Sequence, residues 1–521
     1  MRACLNAVAE DETVSQKDVK QKACEILKTS GTEVQVKNFV YHELMRLLQT
    51  GSHDSSLHHI PMLKEPLTCV KEMCDVWEER MVDSINTLSS VLGQPLSCKR
   101  TESEQDTLKR SWNSLGAHFP GGNIVQPLFS SSDLLKTLSQ IENHNFTTDP
   151  ALDVPFACVL IKVHLNGKSL FELRDNFSRL HPSTFHIDVL GSREMQSGAK
   201  DDYTEKASKV VKLGLAPLAR QLCKSGCPVS LRRHLWSIAL GVDPNDSQHC
   251  LHFEKLKSSV IEQSLLLDRL IVKDVKEVAT NNDNYFVFED MLYQVLLALI
   301  RDSSFSDLHN SHASSHTSSV ACVAENDTCS SSQEVRPSSS CLQGVCPSSG
   351  PSHQKVYPPS GIILFKGFSL YMAPLGYLCD QAEHMYTLFG ELYRRFFVQL
   401  HTISSRAEGI LGLCCLFESL LQAKLPVVCQ HFQRLGVEPL KFAFPWMVTV
   451  FAGHLSTEEV LLLWDRIIGF NSLEVLPVLA VSIFQFRASN LLQAVSHADI
   501  EAILEDLRCL KVLLLLQQTL F

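Results

Sequence analysis

Apolar residues recur at intervals of three and four over long stretches of this chain, and that spacing constrains its fold more than any other feature. Leu292, Val295, Leu296, Leu299 and Ile300 form one such stripe, and Met385, Leu388, Phe389, Leu392 and Phe396 form another. A 3.6-residue repeat brings these positions to one face of a helix, whereas a strand needs strict alternation. After Pro66, a third stripe runs through Val70, Met73, Cys74, Trp77, Met81, Ile85, Leu88 and Leu92. It predicts one long amphipathic helix, with Thr68 placed to cap its start and Gly93 to end it. Trp77 on that stripe reads as core packing. Shorter helical patterns cover Val36 to Leu48 and Leu134 to Ile141, and the Val- and Ile-rich run from Phe156 to Leu165 reads as a buried strand or a helix. The expected class is all-α.

A chain of 521 residues exceeds the size at which one hydrophobic core stops growing, and its 45% apolar content suffices for several units. The expected organisation is a mostly helical N-terminal region (1–205), an all-helical domain (220–500) and a helical C-terminal tail (501–521). Within the domain, residues 303–360 are dominated by Ser, with Pro, Gly, His and Cys and few bulky apolar side chains. Such a segment buries too little surface to offset the entropy of ordering, so it is expected to be a disordered insert.

A net charge of -10, with no run of Lys or Arg, argues against nucleic acid as a partner. The first twenty residues mix acidic and basic side chains around no apolar stretch, unlike a signal or transit peptide. Val475 to Phe484 and Leu513 to Leu516 fall well short of the ~20 residues that cross a bilayer. A cytoplasmic chain without a transmembrane segment is expected, touching membranes only through a partner. The eighteen cysteines are scattered, and neither Cys223 with Cys227 nor Cys341 with Cys346 has a second pair at zinc-finger spacing. Reduced thiols and no metal are expected. Asn166, Gly167, Lys168 and Ser169 follow the apolar run as a phosphate-binding loop would. The first glycine of such a loop would fall on Lys162, so the segment reads as a turn.

One ordered series of residues carries more information. Gly226, Pro228, Leu231, Arg232 and Trp236 form G-x-P-x-x-L-R-x-x-x-W, followed by Ile238 to Leu240 and Gly241. The Gly-x-Pro turn starts a helix, and Arg232 and Trp236 lie four residues apart on one face of it. The arginine there can hold a carboxylate while the tryptophan fills the core. Gly436 and Pro439 form a G-x-x-P turn, and Trp446, Phe451, Leu463, Trp464 and Asp465 follow. In order and interval over about 270 residues, this series resembles the TBC domain family, whose members handle Rab-family small GTPases.

The resemblance implies an all-helical fold in which Gly226, Pro228, Arg232, Trp236, Trp446, Trp464 and Asp465 are structural. It also implies a GTP-bound Rab partner, GTPase activation and vesicle trafficking. No cofactor is implied, because the GTP and Mg²⁺ of a complex belong to the Rab. Family members supply an Arg from I-x-x-D-x-x-R and a Gln from Y-x-Q-G, and such an arginine is worth ~10³ to 10⁵ in rate. Here Ile271 and Asp274 match the first motif, but Glu277 stands at the Arg position, with Lys273 and Lys276 nearby. Gly367 matches the second, with Lys366 at the Gln position, Leu364 at the Tyr position, and Phe368 and Ser369 following. No Gln lies between Leu364 and Leu378. A carboxylate repels phosphate, and an ammonium cannot accept a hydrogen bond from attacking water. Asp274, Lys276, Lys366 and Gly367 remain candidates for Rab contact. Two readings follow: a GTPase-activating protein of weak or absent activity, or a non-catalytic Rab-binding adaptor.

Overall fold

The structure is a computed structural model that describes residues 25–51, 64–113, 126–142, 159–163, 165, 167–187, 197–243, 247–281, 284–306, 308 and 357–521. The fold is all-α. In the N-terminal region run α1 (Thr32–Gly51), α2 (Lys64–Leu92), α3 (Glu102–Asn113), α4 (Ser131–Ser139), α5 (Leu170–Asn176) and α6 (Ser197–Leu213). Next come α7 (Ala216–Ser225), α8 (Arg232–Leu240), α9 (Ser247–Glu262), α10 (Leu267–Asn281) and α11 (Glu289–Leu299). Beyond the insert lie α12 (Ala382–Arg395), α13 (Ile410–Lys424), α14 (Pro426–Arg434), α15 (Leu440–Val448), α16 (Thr457–Phe470) and α17 (Val475–Phe486). The chain closes with α18 (His497–Glu505) and α19 (Val512–Leu520), the latter packed along α17 and α16. One two-stranded antiparallel ribbon joins β1 (Ser97–Lys99) to β2 (Gln263–Leu265), pairing Ser97 with Leu265, Cys98 with Ser264 and Lys99 with Gln263.

Local chemistry sets the helix ends. Ser130, Ser169 and Ser496 each close a capping box with an acid three residues on, at the starts of α4, α5 and α18. Gly241, at φ +77°, ends α8 in the left-handed conformation. Among the described residues no single helix is long and apolar enough to cross a membrane.

Three expectations are corrected. Helix α2 starts at Lys64, with Pro66 tolerated in its first turn, so Thr68 sits inside the helix and not at its start. The described part of the run from Phe156 to Leu165 is neither strand nor helix. Leu160 to Val163 form no regular element, with Ile161 and Val163 buried, and side chains of α13 reach their backbone. The Glu418 carboxyl on α13 accepts from the N–H of Leu160 (2.5 Å) and of Ile161 (3.1 Å), and the Cys415 thiol donates to the Val163 carbonyl (3.3 Å). The Ser-rich insert is narrower than 303–360. Phe305 is buried against Tyr393 at one end and Ser360 is buried at the other, while residues 309–356 lie outside the described residues. Asn166 lies outside them too, so the turn expected there falls outside the described residues, while Lys168, next to the cap of α5, pairs with Glu474 at 2.8 Å.

The core is continuous along the chain. Trp77, Phe129 and Leu134 from the N-terminal region belong to the same buried cluster as Trp236, Phe368, Trp464 and Leu516.

Candidate functional site

Two elements form the site, α10 and the short loop that follows the insert. Helix α10 buries Leu267, Leu270, Ile271, Val275 and Val278, which leaves Lys276 exposed and Lys273 and Glu277 partly so on its outer side. Its start is fixed by Asp268, a buried carboxylate that accepts from the Leu265 N–H at 3.0 Å. Asp268 also holds two guanidiniums, Arg301 at 2.9 and 2.8 Å and Arg100 at 3.0 Å. Negative charge in the first turn suits the helix dipole, and the two arginines compensate for its burial.

Two turns into the helix, Asp274 points at the loop. It accepts from the Gly367 N–H (2.5 Å), the Ser369 N–H (2.8 Å) and the Ser369 hydroxyl (2.6 Å). Burial pushes its carboxyl above the usual range, and the hydrogen bonds from Ser369 and Gly367 pull the other way. Gly367 turns the chain at φ +91°, where a side chain would strain the backbone, and opens the 3-10 turn Phe368–Tyr371. Asp274 therefore stitches the loop to the helix, and its carboxylate is engaged inside the protein.

Glu277 lies one turn beyond Asp274 and pairs with Lys273 at 3.6 Å, both partly exposed. Lys366 is exposed beside Gly367, and its backbone N–H donates to the Phe129 carbonyl at 2.9 Å. Thus Asp274, Glu277, Lys366 and Gly367 come together around one helix–loop junction. The outward side chains there are Lys276, Lys366 and the Lys273–Glu277 pair, which suit electrostatic contact with another surface. Among the described residues no group of three or more His, Cys, Asp or Glu is placed to hold a metal ion.

The remaining sequence-predicted residues build a buried hub. Asp465 on α16 accepts from the Cys227 N–H (3.0 Å), from Arg232 Nε (3.2 Å) and Nη2 (3.2 Å), and from Trp236 Nε1 (2.6 Å). Gly226, at φ +94°, ends α7 and leads through Pro228 into the turn before α8. Trp236 stacks on Trp464, whose indole N–H donates to the Val450 carbonyl, and Trp446 lies against Phe451. Arg232 and Asp465 are both buried.

Sequence reasoning missed Ser369, Asp268 with Arg301, and Phe129. A small polar residue after the turn glycine hinted at Ser369, and an acid at a helix start hinted at Asp268. Nothing local marks Phe129, because its role is a carbonyl and a ring offered to a loop far along the chain.

The family model for the Rab-GTPase-TBC domain matches residues 364–492. TBC1 domain family member 19 of Homo sapiens is 38% identical over 510 residues, covering 98% of this chain and 92% of that protein. The chain belongs to the TBC domain family. Among solved structures, the Chlamydomonas flagellar RabGAP TBC domain covers 71% of this chain and 99% of its own, with a TM-score of 0.41 and 15% identity. As a TBC protein, the chain is a regulator of the Rab GTPase-activating family. The matched span of the TBC domain opens at Leu364, just ahead of Lys366 and Gly367. Helix α10 lies on the other side of the insert, so the Asp274 bonds join the matched span to a helix that precedes the insert.

Proposed function

We propose that this TBC protein binds a GTP-loaded Rab-family GTPase through the α10–Gly367 junction and accelerates hydrolysis weakly or not at all, acting as a Rab-reading regulator. The observation that carries this reading is the Asp274 bridge. It keeps the helix and the loop in register, and on this reading Glu277 and Lys366 stand at the places of the Arg and Gln fingers. A carboxylate at the Arg position opposes the developing negative charge of phosphoryl transfer, and a lysine lacks the amide oxygen that orients water. Lys276 and Lys366 offer contacts to an acidic partner surface instead. On this reading residues 220–500 handle the Rab, with the described parts of residues 1–205 and the tail 501–521 packed against them. The chain is cytoplasmic and is drawn to membranes by the Rab it binds.

The test is single-turnover GTP hydrolysis over a panel of purified Rabs, with binding to the GTP-loaded forms measured in parallel. Binding without acceleration is expected. Acceleration of any Rab near the ~10³-fold scale refutes the reading of Glu277 and Lys366. The double variant Glu277→Arg with Lys366→Gln is expected to gain partial activity on the Rab that binds. No gain on that Rab would mean the groove differs beyond its fingers.

A further inference from the structure

The N-terminal region grips each of the two site elements at a separate place. At the start of α10, β1 pairs with β2 through Ser97 to Lys99, extended by the Arg100 N–H to the Glu262 carbonyl and the Leu266 N–H to the Leu96 carbonyl, both at 2.9 Å. The Arg100 guanidinium then reaches the Val260 carbonyl (3.2 Å) and Asp268 (3.0 Å), the residue that anchors the first turn of α10. At the loop, the Phe129 carbonyl accepts the Lys366 N–H at 2.9 Å. The Phe129 ring packs on Phe365 with centroids 5.7 Å apart, and Trp77 of α2 stands edge-on to Phe129 at 5.0 Å. Phe365 in turn packs against Phe368 and Tyr371 of the turn behind Gly367. Trp77, Phe129 and Phe365 are all buried, so the column is packed from α2 to the loop.

We infer that Trp77, Phe129 and Arg100 are positioning residues for the GTPase-facing junction, so that the N-terminal region sets the geometry at which α10 and the Gly367 loop meet a partner. The inference rests on the proposed function for the identity of that partner. Its physical content is separate from it. Asp274 ties the two elements to each other, but such a tie leaves both free to shift together. The two outside grips fix them to a common frame. The Phe129 carbonyl acts on the backbone of Lys366 itself, one residue from the glycine that Asp274 holds. A residue outside the junction therefore controls where the exposed Lys366 side chain starts from.

The experiment uses the full chain and reads residue-resolved amide hydrogen exchange, which needs no Rab. Trp77→Ala removes the far end of the column, Trp77→Phe restores an aromatic ring there, and Arg100→Met loosens the second grip while leaving Asp268 paired with Arg301. Trp77→Ala is expected to accelerate exchange at Lys366 and Gly367 by about tenfold, with exchange in Arg232–Leu240 unchanged and with Trp77→Phe near wild type. Arg100→Met is expected to accelerate exchange at Leu265 and Leu266 in the same selective way. In parallel, the affinity of each variant is measured for whichever GTP-loaded Rab binds the wild type, with a several-fold loss expected for Trp77→Ala and recovery in Trp77→Phe. Unchanged exchange at Lys366 and Gly367, or acceleration spread equally over Arg232–Leu240, overturns the positioning role. Selective acceleration with unchanged affinity overturns its link to the partner. If no Rab binds the wild type, the proposed function fails while the exchange result still decides the positioning.

Discussion

Replacing Asp465 by Asn changes almost no shape and removes one charge, and the surrounding structure sets the cost. Four donors converge on this carboxylate: the Cys227 N–H, Arg232 Nε and Nη2, and Trp236 Nε1. Asp465 is 0% exposed and Arg232 2%. In the variant the buried guanidinium loses the Asp465 charge, and the amide turns an N–H₂ toward groups that are themselves donors. Leaving one partner of a buried ion pair unpaired costs about 3–5 kcal/mol. Against a total stability of about 5–15 kcal/mol that is a large share. At about 2–4 °C per kcal/mol for a domain of this size, the melting temperature should fall by about 6–20 °C. Thermal unfolding followed by tryptophan fluorescence suits the test, because Trp236 and Trp464 stack within the hub. The pair Arg232→Met with Asp465→Leu removes both charges together and should be more stable than Asp465→Asn alone, since no buried charge is stranded. A loss below about 1 kcal/mol in Asp465→Asn, or a double variant no better than the single, would refute the charge argument.

At the site, Asp274→Ala removes the acceptor of three hydrogen bonds and should cost about 2–4 kcal/mol in urea unfolding, together with a loss of Rab affinity. Unaltered affinity would separate the Asp274 bridge from the partner surface. Gly469 in α16 lies where an added Cβ would sit 2.6 Å from the Lys224 backbone nitrogen of α7. Gly469→Ala should therefore pry these helices apart at about 1–3 kcal/mol, read from the same denaturation curves, and a neutral result would mean that α7 yields freely. Burial pushes the Glu418 carboxyl from 4.5 up to about 8, against the N–H groups of Leu160 and Ile161 that lower it. The folded chain thus holds a proton that the unfolded chain releases. That contribution to stability is full below about pH 4.5 and is lost as pH rises through about 8. The wild-type midpoint should decline over this window and Glu418→Gln should flatten the decline, so parallel slopes in the two proteins would exclude Glu418 as the titrating group.

How much was legible in the sequence differs from element to element. The stripe through Met385, Leu388, Phe389, Leu392 and Phe396 identified α12 because a helix writes its buried face into local spacing. Helix α2 was visible for the same reason, although its first turn extended past Thr68 to Lys64. The run at Leu160 to Val163 was not legible, because what organises it is a carboxyl group more than 250 residues away. At the site, the motif spacing brought Asp274 and Gly367 to notice without revealing that one bonds to the other.

The sequence by itself determined the all-helical class and, through the order of its motifs, the family. These are properties of short windows, in which period, cap and turn chemistry act between near neighbours. Only the tertiary structure decided that Asp465 is the carboxylate held by Arg232, that Asp274 faces inward to the loop, and that Phe129 and Arg100 hold the two site elements from outside. Each of these pairings spans about a hundred residues or more, and at such separations a charge or a carbonyl has many chemically equivalent partners in the chain. Packing of the apolar faces brings one of them within hydrogen-bond distance and excludes water from the pair, and no local pattern encodes which one it will be.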